Sequence, residues 1–144
     1  MNPVRWGILG TAEIALTRVI PAMQSCEHSV VTAIASRVLD KAQEAAAQHG
    51  IAHAYGSYAA LLDDPDIDVV YNPLPNHLHL EWSARALRAG KHVLCEARMA
   101  TTATEAQAML EVSRAHPNQV AQIVPSPTTF KVDRLLQRLV YEGF

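Results

Sequence analysis

Short apolar runs, each the length of a strand, alternate along the chain with segments whose apolar positions recur at helical spacing. Val4 to Leu9 reads as a first strand closed by Gly10. Ala12 to Met23 follows as a helix, with Ile14, Val19, Ala22 and Met23 set to pack on a sheet. Val30 to Ala35, rich in β-branched residues, is a second strand. Asp40 to His49 is an alanine-rich helix stopped by Gly50. A short edge strand at His53 to Tyr55 leads to Ser57, a natural N-cap for the helix Tyr58 to Leu62. The run Asp63-Asp64-Pro65-Asp66 is a turn. Asp68 to Tyr71 is a fourth strand ended by Pro73 and Pro75. His77 to Ala89 is a helix capped by Gly90, and His92 to Cys95 is a fifth strand. Thr102 to His116 is helical, with Thr102 and Glu105 spaced as a capping box. Gln119 to Val124 is a sixth strand, and Val132 to Glu142 a last helix ending at Gly143.

Strand and helix alternating at this spacing imply a doubly wound parallel sheet in three α/β/α layers, because right-handed crossovers put helices on both faces. No linker, repeat or low-complexity tract divides the sequence, so residues 1–144 read as one domain without a second. Composition narrows the partners. No run approaches the roughly 20 apolar residues of a membrane span, and no secretory leader is visible. A formal net charge of −2 without a basic tract argues against nucleic acid. Two cysteines beside apolar residues, Cys26 and Cys95, read as buried reduced thiols of a cytoplasmic protein.

The residues at two strand ends carry the chemistry. Gly7 to Ala15 places Gly10, Ala12 and Ala15 in a G-x-A-x-x-A pattern where the first strand meets its helix. Gly10 permits the tight turn, and small residues beyond it let a pyrophosphate approach the helix N-terminus. The second strand ends in Ala35-Ser36-Arg37, with Lys41 one helical turn later, where NAD-specific sites carry an acidic residue. A hydroxyl and two cations there suit a 2′-phosphate, which favours NADP, with NAD possible.

The loop Tyr71-Asn72-Pro73-Leu74-Pro75-Asn76-His77-Leu78-His79 is stiffened by its prolines, and its two histidines admit two readings. In one, they join Glu81, Cys95 and Glu96 around a ligand or metal. In the other, Asn76 caps the helix, one imidazole bonds the backbone and the other is exposed. The other histidines, His28, His49, His53, His92 and His116, are scattered and show no ligand spacing.

Five stretches in order resemble the N-terminal domain of the Gfo/Idh/MocA oxidoreductases: Trp6 to Ala12, Ala33 to Arg37, Tyr71 to His79, Glu81-Trp82 and Ala89 to Glu96. The resemblance implies a Rossmann fold binding NAD(P) and hydride transfer to or from a sugar, cyclitol or related aldehyde. It implies that Gly10, Thr11, Ala12 and Ile14 line the pyrophosphate turn and that Ser36, Arg37 and Lys41 meet the adenosine end. Leu74, Asn76 and His79 would approach the nicotinamide ribose, with Glu96 beside the nicotinamide. On that basis the candidate catalytic residues are His79, Glu96 and Arg98.

Two departures follow. The family's Glu-Lys-Pro is Glu96-Ala97-Arg98 here, so its lysine is missing and Arg98 stands one residue late. Family members also continue into an α/β domain that completes the substrate site. These departures leave three readings open. The first is an NADP-binding domain with weak or lost hydride transfer. The second is an ester or phosphoester hydrolase reusing the open cleft, with or without a metal. The third is a non-catalytic module that forms a homodimer or larger assembly through surfaces a second domain would cover.

Overall fold

The computed structural model describes residues 2–124 and, farther along, Arg138, Leu139, Tyr141 and Glu142. The helix expected over Val132–Glu142 therefore lies largely outside the described residues. Six strands form one sheet: β1 (Val4–Leu9), β2 (Ser29–Ala35), β3 (His53–Tyr55), β4 (Val69–Asn72), β5 (His92–Cys95) and β6 (Ala121–Ile123). Their order is β3-β2-β1-β4-β5-β6, and every pairing is parallel. The order reverses between β1 and β4, so a crevice opens there at the carboxyl ends of the strands.

Helices cover both faces, as right-handed crossovers require. On one face lie a π-turn (Ala15–Val19), α1 (Ile20–Gln24) and α2 (Leu39–His49), packing Ala15, Ile20, Ala45 and Ala46 on Ile8, Ile34 and Tyr71. On the other lie α3 (Tyr58–Leu62), α4 (His79–Arg88) and α5 (Ala103–Ala115), which set Leu61, Leu62, Leu87 and Met109 against Leu9, Val70 and Val93. The doubly wound α/β fold expected from the alternation is the fold observed.

Local signals behave as their chemistry dictates. Gly50 ends α2 at φ +64°, Ser57 Oγ accepts from the Ala60 N–H, and Thr102 and Glu105 form the reciprocal capping box. The Asp64 carboxylate accepts from the Asp66 N–H at 2.8 Å, closing the expected turn.

Four expectations need correction. The first helix is not regular: the Ile20 N–H donates to Ala15 O, five residues back. Pro21 explains the widening, because it has no N–H to continue the ladder and its ring crowds the carbonyl four residues earlier. The helix face also differs, since Ile14 is 46% exposed and Ala22 is exposed, while Ala15, Leu16, Val19, Ile20 and Met23 face the sheet. Asn76 caps nothing through its side chain: a 3-10 turn over Asn76–Leu78 enters α4, held by the Leu78 N–H on Pro75 O. Cys26, finally, is exposed, whereas Cys95 is buried at the far end of β5.

Candidate functional site

Gly10 turns the chain out of β1 at φ +82°, its N–H donating to Ala35 O at 2.7 Å. The positive φ is what calls for glycine, and a Cβ there would in addition stand 2.9 Å from Leu74 Cδ2 and push that side chain aside. The helix that follows opens at Glu13, and the first-turn N–H groups of a helix have no intrahelical acceptor. Ala12, the residue before it, has no side-chain oxygen to cap them. This helix start therefore offers donors and dipole to an anion.

Beside this turn lies a groove of about 480 Å³, lined by Gly10, Thr11, Ala12, Ser36, Arg37, Val38, Lys41, Tyr58, Pro73, Leu74 and Pro75. Seven of the residues singled out from sequence thus meet in one concavity: Gly10, Thr11, Ala12, Ser36, Arg37, Lys41 and Leu74. Ser36 Oγ accepts from the Val38 N–H, which orders the start of the cation-bearing segment, while Arg37 and Lys41 project into solvent. The residue set fits a dinucleotide: uncapped donors for the diphosphate and two cations with a hydroxyl for a phosphate on the ribose. A larger recess of about 1130 Å³, containing Arg5, Asp68 and His92, lies towards the amino ends of the strands, away from the glycine turn.

Five expected residues stand elsewhere. Ile14 faces solvent on the helix start, and Asn76 sits half-buried in the 3-10 turn. His79 is fully buried. Its Nε2 lies 2.6 Å from Leu74 O and its Nδ1 2.9 Å from Arg98 O. Both oxygens only accept, so a neutral imidazole satisfies one of them and a protonated imidazole satisfies both. His79 thus ties the loop after β4 to the loop after β5, and its ring is not turned to the groove. His77 is exposed, so of this pair one imidazole bonds the backbone and the other meets solvent, while the cap expected from Asn76 is absent. Among the described residues, no three His, Cys, Asp or Glu side chains converge as a metal site.

Glu96 follows β5, anchored by its N–H on Asn72 O at 3.0 Å. Its Oε1 accepts from the Tyr71 hydroxyl at 2.6 Å and its Oε2 from the Ala97 N–H at 3.1 Å. Burial, reinforced by the carboxylate, pushes the Tyr71 phenol far above its ordinary range, so it serves as a donor. Arg98 is exposed, and the Ala97–Arg98 peptide bond is cis. Burial raises the Cys95 thiol to about 11 and leaves it inert.

Sequence reasoning missed Val38, Tyr58, Pro73 and Pro75 in the groove and Tyr71 beneath Glu96. Tyr71 carried a usable signal: with β4 and β5 as neighbouring parallel strands, residues at their carboxyl ends meet across the ladder. Asn72, a buried polar residue in that strand, is likewise structural. Its amide donates to Ser83 Oγ at 3.1 Å, and its oxygen accepts from the Leu74 N–H.

Residues 4–123 match the family described as an oxidoreductase family with an NAD-binding Rossmann fold. An uncharacterized oxidoreductase of Rhizobium meliloti is 53% identical over 111 residues, covering 77% of this chain and 33% of that protein. D-xylose 1-dehydrogenase (NADP(+)) 2 of Haloferax volcanii is 49% identical, covering 74% of this chain and 32% of its own length. In three dimensions, a 3-ketoreductase from Actinomadura kijaniata, crystallised with TDP-benzene and NADP, superimposes with a TM-score of 0.83. That pair shares 38% identity over 99% of this chain and 44% of the other. The chain spans about a third of the length of these two curated relatives and under half of the ketoreductase.

Proposed function

The chain belongs to the Gfo/Idh/MocA family of oxidoreductases, and from that premise we propose that this domain binds NADP for hydride exchange with a sugar or sugar-like carbonyl. One observation carries the reading: the glycine turn with its uncapped helix start and the Ser36-Arg37-Lys41 cluster line a single groove. Arg37 and Lys41 would hold a 2′-phosphate, Ser36 would orient it, and Thr11 and Ala12 would present backbone to the diphosphate. Two relatives named for NADP or crystallised with it, both of them acting on sugars or ketones, favour the same cofactor and substrate class.

When bound, the nicotinamide supplies or accepts the hydride. The chain's own residues bind and aim it, but Ala97 brings no ammonium where the resembled motif carries lysine. A positioned proton donor is worth about 10²–10⁴-fold, so hydride transfer here is slow unless another group supplies the proton. The exposed Cys26 suits a reducing compartment such as the cytoplasm.

Fluorescence titration with NADPH and NADH tests the reading. Saturable binding is expected, tighter for NADPH by about tenfold, the scale of one charge-assisted contact. No saturable binding at millimolar NADPH would overturn it.

A further inference from the structure

The strand order sets the cations of the groove apart from Glu96, which stands outside the groove lining. The Ser36-Arg37-Lys41 cluster stands at the end of β2 and just after it, on one side of the Gly10 turn. A dinucleotide whose phosphates sit at that turn must send its other half the opposite way, over the carboxyl ends of β4 and β5. Glu96 stands there as the first residue after β5.

Its carboxylate is not free to roam. The Tyr71 hydroxyl holds Oε1 at 2.6 Å, and the Ala97 N–H holds Oε2 at 3.1 Å. Tyr71 is itself fully buried in β4, within the core cluster that holds Ile8, Ile34 and Ala15. A rigid donor on one oxygen and backbone on the other leave the carboxylate one orientation. Each oxygen keeps a lone pair for a further partner.

We propose that Tyr71 is a positioning residue for Glu96, and that the carboxylate it fixes makes the site prefer the oxidised, positively charged nicotinamide to the reduced, neutral ring. This rests on the NADP reading above and adds a thermodynamic bias to it. An anion held in place needs no reorganisation to meet the cationic ring, whereas a mobile one turns to solvent and loses the contact. Exposed Arg98 is too close in sequence to be ignored, so its charge is included in the test.

The experiment measures the dissociation constants of NADP+ and NADPH for the unaltered chain, Tyr71→Phe, Glu96→Gln and Arg98→Ala, at two salt concentrations. The readout is the ratio of the two constants, which a general loosening of the fold would leave in place. Tyr71→Phe is expected to shift the ratio towards NADPH by about fivefold, matching Glu96→Gln, as expected for one hydrogen bond to a charged group partly screened by solvent. The double variant should add nothing further. A crystal structure of Tyr71→Phe should show the Glu96 carboxylate displaced.

Three results overturn the proposal. One is a ratio unchanged in Tyr71→Phe while Glu96→Gln moves it. Another is a ratio unchanged in both, with the cofactor still bound, which sinks the bias alone. The third is a ratio that only Arg98→Ala moves. Failure of the unaltered chain to bind either form sinks the NADP reading itself, and the proposal with it.

Discussion

Gly10 and Leu74 face each other so closely across the mouth of the groove that a methyl group on the glycine would lie 2.9 Å from Leu74 Cδ2. Gly10→Ala therefore incurs two costs, a clash and a left-handed backbone at φ +82°. The backbone part is roughly 1–2 kcal/mol, read as a lower urea midpoint. NADPH affinity is expected to fall as well. Leu74→Ala loses core packing of its own, so the cycle is read as a difference: Gly10→Ala should cost less in a Leu74→Ala background than in the unaltered chain. An equal cost in both backgrounds would leave the backbone strain as the whole effect.

Arg37→Ala and Lys41→Ala separate the cofactors. Each is expected to weaken NADPH by about tenfold and leave NADH nearly unchanged, because an exposed cation contributes mainly to the extra phosphate. Parallel titrations decide this. Equal losses for both cofactors would move these side chains away from the 2′ position.

His79→Ala tests the tie between the two loops. It removes a fully buried ring and its bonds to Leu74 O and Arg98 O, at about 2–4 kcal/mol. Chemical denaturation measures the loss, and faster amide exchange near residues 74–78 and 96–100 should accompany it.

Much of this was legible beforehand, and the reasons differ by element. The parallel, doubly covered sheet and the glycine turn follow from period, β-branching and the crossover rule, all local or nearly so, whereas the strand order emerges only in the fold. The capping box at Thr102 and Glu105 is a pattern four residues long, and it formed as written. The π-turn was missed because an apolar period outweighed Pro21, whose missing N–H is a backbone fact that hydropathy does not record. Only the family resemblance sets His79 near the ribose, while the direction of its ring is fixed by Leu74 and Arg98, which no spacing in the loop discloses. Tyr71 on Glu96 joins residues 25 apart, a contact that exists only once the strands pair.

The amino end of β1 sets an acid limit. Arg5 binds the Asp68 carboxylate through Nε at 3.0 Å and Nη2 at 2.7 Å, and the guanidinium holds Asp68 at about 2. A depressed carboxyl stabilises the fold above its unfolded value of about 3.9, and the contribution disappears as pH falls from there towards about 2. Acid unfolding followed by circular dichroism should begin at higher pH in Asp68→Asn. An unchanged profile would show that the pair is inert.

The two thiols should behave differently. Cys26 is exposed and Cys95 is buried with its thiol raised to about 11. At neutral pH a disulfide-exchange reagent is expected to label one thiol quickly, and the second only after denaturant is added. Rapid labelling of both would mean that the end of β5 opens readily.

Lys91 offers a clock for that opening. Its ammonium is sequestered in the fold, donating to Asp64 O at 2.6 Å and Ile67 O at 2.8 Å. An amine-directed acylating reagent can reach it only when the 64–67 turn swings away from β5. Exposed Lys41 reports the intrinsic speed of the reagent, so the ratio of the two labelling rates counts how often this corner of the domain breathes.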